Sequence, residues 1–414
     1  MKGRALYNAR SVFFGRKNMR KHKLPKGFLA SGIHSGVKKK RKDLSLLYSK
    51  KLCKVAALFT TNVVKAAPVV LAQKQLAKND EIRSVVINSG NANCMTGRRG
   101  LKDARKMVSV MADLLDVSKD AVLVSSTGII GENMPMKPIL SGMPLLVSKL
   151  SAKGIDDAVE GIMTTDRFPK VASRTFTASG RKVMMTAIAK GAGMVKPDMA
   201  TMLCYVLTDA NISKAALKKA LTSGVETSFN AITVDGDMST NDTIMLLANG
   251  EAGNSLITEK SRAFRTFQKN LEIVCRSLAK MIVRDGEGAT KLIEVNVKGA
   301  KSGDDAKRIA ESIADSLLVK CAVLGGDPNW GRIASSAGAS GAVFDPDKME
   351  IVLDGVTFFK GGKAVSSVKR KTTPVFKKHN VQILVNLHSG RGEAVYFSCD
   401  ISKKYITLNS YYTT

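Results

Sequence analysis

Apolar positions along the chain follow two rhythms. Short runs of aliphatic and β-branched residues, each bounded by turn residues, predict buried strands. They are Ser84–Asn88, Ala121–Ser125, Leu203–Thr208, Ile244–Ala248, Leu292–Val297, Glu350–Leu353, Gln382–Leu387 and Ala394–Ser398. Between them, apolar residues recur at three- and four-residue steps. Met107, Val108, Met111, Leu114 and Leu115 predict one amphipathic helix; Phe264, Phe267, Leu271, Val274 and Leu278 predict another, ending at Asp285-Gly286. Strands and helices alternate loosely, and several strands look adjacent in hairpins. That pattern predicts a layered α/β/α sandwich with mixed sheets rather than a doubly wound parallel sheet.

At 414 residues the chain has the length of two domains or of one two-lobed unit. A core of that size needs no disulfide or metal to hold it. No apolar run approaches the roughly 18 residues of a membrane span. The six cysteines (Cys53, Cys94, Cys204, Cys275, Cys321, Cys399) are scattered and form no C-x-x-C pair. A reducing interior fits that usage better than a disulfide framework or a zinc site. With four histidines and no H-E-x-x-H, a catalytic base other than histidine is expected.

Charge complicates the picture: 65 Lys and Arg stand against 35 Asp and Glu, a net charge of +30. Such a balance raises nucleic acid as a partner. Only 5% of residues are aromatic, however, too few to supply stacking platforms for single strands, so nucleic acid is not the expected partner. The first acidic residue is Asp43. The acid-free, Arg-containing start has the composition of a transit peptide, with a plain basic tail over residues 1–25 as the simpler reading.

Phosphate-cradling loops and the G-x-S-x-G elbow are missing from the sequence. What remains is a set of polar turns: Asn88–Asn93, Ser126–Gly131, Lys190–Met194, Asp235–Asp242, Asp285–Gly288 and Gly325–Gly331. Turn chemistry explains any one of them. Six of them in a histidine-poor chain suggest a site of backbone amides, hydroxyls and a carboxylate. The sharpest segment is Lys190–Leu203, where a Gly- and Pro-containing loop delivers Ala200-Thr201 into an apolar strand. Attack of the Thr201 hydroxyl on the Ala200 carbonyl, then hydrolysis, would free Thr201 as a new N-terminus. Its α-amine, with an ordinary pKa of about 8, would serve as base for its own hydroxyl. The alternative is that Thr201 merely opens a strand.

These segments, taken together, resemble the ornithine acetyltransferases of arginine biosynthesis, also called glutamate N-acetyltransferases. The likeness runs from about Lys26 to Thr414. It includes Gly27–Gly32, Phe59–Asn62, Lys65–Pro68, Asn88–Asn93, Ser126–Gly128, Thr164–Asp166, Lys190–Leu203, Val234–Asp242, Asp285–Gly288, Asp327–Arg332 and Asn409–Thr414. The resemblance implies an enzyme that cuts itself between Ala200 and Thr201. The products would be an α chain (26–200) carrying the oxyanion site and a β chain (201–414) carrying the nucleophile, assembled as an α2β2 heterotetramer.

By the same resemblance the reaction is ping-pong. Thr201 takes acetyl from N-acetylornithine, releases ornithine and passes the acetyl to glutamate. Thr127 and Gly128 match the oxyanion-stabilising positions; Thr164, Lys190, Thr201, Glu287, Asn409 and Thr414 match the substrate-binding positions. No metal or organic cofactor is implied, because the acetyl rides on Thr201, and acetyl-CoA enters as a donor substrate only in a bifunctional version. The chain departs from the family at Asp198, where Asn is frequent, and in its basicity. Asp327–Arg332 is assigned a structural role. The implied address is the cytoplasm, with the mitochondrial matrix as the alternative given the basic start. Two other classes stay open: an N-terminal-nucleophile aminopeptidase or amidase on the same fold, and a basic nucleic-acid-binding protein that kept the fold.

Overall fold

The structure, a computed structural model, describes residues 22–79, 81–196, 202–368 and 374–411. Eight strands form a first mixed sheet: β1 (Phe28–Ile33), β2 (Leu44–Phe59), β3 (Glu81–Asn91), β4 (Val122–Ile129), β5 (Lys170–Ala178), β6 (Arg181–Lys190), β7 (Leu203–Thr208) and β8 (Thr243–Ala248). Their order is β4-β3-β2-β8-β7-β6-β5, with β1 paired to β2. The β3/β4 and β7/β8 pairs are parallel, and the other pairs in this sheet are antiparallel. A second sheet has the order β12-β11-β10-β13-β9-β14. Its strands are β9 (Leu292–Ala300), β10 (Glu350–Leu353), β11 (Val356–Lys360), β12 (Lys363–Ala364), β13 (Asn380–Asn386) and β14 (Gly392–Cys399). The helices are α1 (Ala67–Lys78), α2 (Gly97–Leu115), α3 (Met136–Ser148), α4 (Ile155–Ile162), α5 (Lys214–Glu226), α6 (Arg262–Arg284), α7 (Gly303–Asp315), α8 (Leu317–Gly325), α9 (Trp330–Gly338) and α10 (Lys403–Tyr411).

Alternation along the strands assigns the layers. On β7, Leu203, Tyr205 and Leu207 join Leu47, Val85, Ile87 and Met245 in a core closed by Ile155, Ala158 and Ile162 of α4. Their neighbours Cys204 and Val206 point the other way, against Leu217 and Leu221 of α5 and Phe267, Leu271 and Val274 of α6. Toward β4 the same far face is covered by Met107 and Met111 of α2 and Ile139 and Met143 of α3. Helices thus lie on both faces of the first sheet, as the apolar pattern predicts. The second sheet packs against α7, α8 and α9 through Ile309, Ile313, Val319, Val323 and Ile333. The long α6 bridges the sheets: its core also takes in Leu292, Phe397 and Cys399, and its Lys280 Nζ reaches Glu294 at 3.2 Å.

Each of the eight predicted runs falls on a strand, overshooting by at most one residue, and both predicted helices are present. The Asp327–Arg332 motif behaves structurally. Asn329 caps α9 by accepting the Arg332 amide, and Trp330 stacks on Phe359 with ring centroids 4.9 Å apart. Among the described residues no helix is long and apolar enough to cross a membrane. The basic stretch before His22 lies outside the described residues.

Candidate active site

A cavity of about 330 Å³ opens where the ends of β4 and β6, the 235–241 loop, the turn after α6 and α10 meet. Thr127, Gly128, Thr164, Lys190, Glu287 and Asn409 all line it, brought together from five separate stretches of chain. Ala200, Thr201 and Thr414 lie outside the described residues. The described chain resumes at Met202, whose amide donates to Asp242 Oδ1 at 2.8 Å.

Two glycines shape the walls. Gly128 has φ +135, and a Cβ there would sit 2.3 Å from the Gly90 carbonyl carbon on the parallel neighbour β3. Only glycine lets the two strand ends close so tightly. Beside it the Thr127 side chain is nearly buried. Gly193 serves the opposite wall: a Cβ there would lie 2.7 Å from the Glu287 carboxyl carbon. Glu287 is fixed by its own amide, which donates to Ala192 O at 2.8 Å, and its Oε2 accepts the Asn409 amide at 2.9 Å.

Lys190 is 4% exposed, and no hydrogen bond or ion pair holds its ammonium among the described residues. Burial lowers its pKa, while Asp166, Asp242 and Glu287 pull it back toward the charged form. The backbone around it hangs on a buried ion network. Lys170 Nζ bridges Asp166 Oδ1 at 2.6 Å and Asp285 Oδ2 at 2.5 Å. Asp166 also accepts the amides of Thr164 at 2.9 Å and Gly191 at 2.8 Å. Asp285 accepts from Arg167 Nε at 2.9 Å. Burial opposes the charge on Asp166, but Lys170, Lys190 and the Gly191 amide outweigh it and hold the carboxyl well below the usual range. One network therefore sets Thr164, Lys190 and Glu287 relative to one another.

Four of the six polar turns line the cavity directly. A fifth supports it: Asn88 Oδ1 accepts the Ser126 hydroxyl at 2.6 Å. The sixth caps α9 instead. The 235–242 turn had a sequence signal but no assigned roles. Asp235 accepts the amides of Met194 and Val195 at 2.6 and 2.7 Å. Asn241 Nδ2 donates to Ala92 O at 2.7 Å and Ser126 O at 2.8 Å, tying the strand of Thr127 to the loop. Tyr405 had no signal beyond its four-residue spacing from Asn409, which puts both on one face of α10. Its hydroxyl donates to Asp235 Oδ2 at 3.4 Å. Burial and the carboxylates of Asp235, Asp237 and Glu287 raise its pKa.

A model of the ArgJ family matches residues 29–414. The chain belongs to the ArgJ family. The arginine biosynthesis bifunctional protein ArgJ of Caldanaerobacter subterraneus subsp. tengcongensis is 46% identical over 398 residues, 95% of this chain and 98% of that protein. Its namesake in Geobacter sulfurreducens is 47% identical over 391 residues, 94% and 99% of the two chains. A crystal structure of the ArgJ protein from Bacillus halodurans is 39% identical, covers 50% of this chain and 98% of its own, and superposes with a TM-score of 0.49. The ArgJ match extends across both halves of the chain, so the motif resemblance is family membership along nearly its whole length.

Proposed function

We propose that this ArgJ family member is an acetyltransferase of arginine biosynthesis, moving acetyl from N2-acetyl-L-ornithine to L-glutamate through an acetyl-threonine at Thr201. The observation that carries the reading is a pair of opposite charges in one cavity, the Lys190 ammonium and the Glu287 carboxylate, beside Thr127 and Gly128. Lys190 is suited to a substrate carboxylate and Glu287 to an ornithine amine. Thr164, Asn409 and Thr414 complete the binding set. The Thr127 hydroxyl and the Gly128 amide serve as oxyanion donors, each worth about 3 kcal/mol where such donors have been removed. The Thr201 α-amine acts as base, which requires the cut between Ala200 and Thr201.

The acetyl travels on Thr201, so no cofactor is called for. The word bifunctional in the relatives' names supports acetyl-CoA as a second acetyl donor for glutamate. The α (26–200) and β (201–414) chains contribute strands to one sheet and would stay associated, with an α2β2 heterotetramer in the cytoplasm as the expected form.

Intact mass and N-terminal sequencing of purified protein test the reading first. Two chains, the second beginning Thr201-Met-Leu-Cys, together with ornithine-to-glutamate transfer, are expected. Thr201→Ala should stay whole and inactive. A single inactive wild-type chain would overturn the reading. Acetate released without transfer to glutamate would replace it with an N-terminal-nucleophile amidase.

A further inference from the structure

Self-cleavage, the reading on which this inference rests, poses a problem that acetyl transfer does not. In the finished enzyme the α-amine of Thr201 takes the proton from its own hydroxyl. Before the cut that nitrogen is an amide whose lone pair is delocalised into the carbonyl, and it is no base. Another group must accept the proton. None of the histidines lines the cavity among the described residues.

Asp242 meets the requirement by position. It is 1% exposed, and its Oδ1 accepts the Met202 amide at 2.8 Å. That amide nitrogen is bonded to the Thr201 carbonyl carbon, which puts the carboxylate one peptide unit from the nucleophile. The second oxygen, Oδ2, is buried and has no hydrogen-bond partner among the described residues. Burial outweighs the Met202 amide, the Lys190 ammonium and the nearby Ser239 hydroxyl and raises the Asp242 pKa above its ordinary value, so its ionised form holds a proton more strongly than an exposed aspartate does. A buried carboxylate oxygen that no described group satisfies is costly in a native fold and calls for a role.

The loop that carries Asp242 also grips the chain on the other side of the scissile stretch. Asp235 holds the Met194 and Val195 amides. Val195 O in turn accepts from the Val234 amide at 2.9 Å and the Thr233 hydroxyl at 3.2 Å. Residues 233–243 therefore clamp the chain both before and after the bond that is cut.

The geometry points to Asp242 as the proton acceptor for self-cleavage. Its Oδ2 takes the Thr201 hydroxyl proton as Oγ1 bonds to the Ala200 carbonyl carbon. The bond from that carbon to the Thr201 nitrogen then breaks, and the proton passes from Asp242 to the departing nitrogen. The products are an Ala200 ester on Oγ1 and a free α-amine. Water hydrolyses the ester, giving the Ala200 carboxylic acid and restoring the hydroxyl.

Asp242→Asn keeps an oxygen for the Met202 amide and removes the acceptor. Cleavage is followed on freshly translated chain by denaturing gel and mass, with circular dichroism as the check on folding. The Asn variant should cut about a hundredfold more slowly, or worse, while keeping the fold of uncut Thr201→Ala. A folded Asn variant that cuts at the wild-type rate would overturn the assignment and leave the self-cleaving reading intact. A wild-type chain that never cuts would remove both. Should the Asn variant fail to fold, Asp242→Glu decides: cleavage resumed from the longer carboxylate supports the role, and a folded Glu variant as inert as Thr201→Ala removes it.

Discussion

Gly193 faces Glu287 so closely that a methyl group would displace the carboxylate from the cavity wall. Gly193→Ala should therefore raise KM for N-acetylornithine about tenfold while leaving kcat nearly unchanged, because the proposed oxyanion donors, Thr127 and Gly128, are untouched. Steady-state kinetics check this, and an unchanged KM would mean that Glu287 does not hold the substrate amine. Lys190 supplies a second residue-scale test. Only its ammonium can pair with a carboxylate, and burial lowers its pKa. The charged form is thus lost at a lower pH than for a free lysine, whose pKa is about 10.4. KM for glutamate should rise with pH before that value is reached, and a flat profile up to about pH 10 would remove the Lys190 contact.

At the scale of elements, the buried network decides whether the cavity exists. Lys170→Met would leave Asp166 and Asp285 facing each other without the cation that bridges them. Breaking a buried pair in this way costs about 3–5 kcal/mol, so a large drop in melting temperature is expected, with activity falling further than folding alone explains. The sign in acid follows from Asp166. Its folded pKa lies below its unfolded one, so its contribution is present above about pH 4 and is lost as pH falls through the folded value. Fully buried strands, such as β7, were legible because both faces are covered. The sixteen-residue β2 was not: exposed Lys50 and Lys51 interrupt its apolar run at the register shift between Tyr48 and Cys53. Edge strand β5 was hidden by its exposed Ser, Arg and Thr positions. In the site, Lys190 and Glu287 were reached through motifs, whereas the Tyr405–Asp235 contact joins residues 170 positions apart and leaves no local mark.

For the whole molecule, the strand order matters most. Strands β1 to β6 precede residue 200 and β7 and β8 follow it, yet β8 lies between β2 and β7. Cut chains should therefore co-elute in gel filtration and unfold in one urea transition; separate elution of the halves without denaturant would contradict this. The same order governs biogenesis. A ribosome-bound fragment that ends before residue 248 lacks an interior strand of its first sheet, and Tyr405 and Asn409 emerge later still. If the chain cuts itself as proposed, translation order would guard the Ala200–Thr201 bond in nascent chains. Under the proposed self-cleavage, the cell would make the two halves in strict one-to-one ratio and release the nucleophile only when its partner half is already in place.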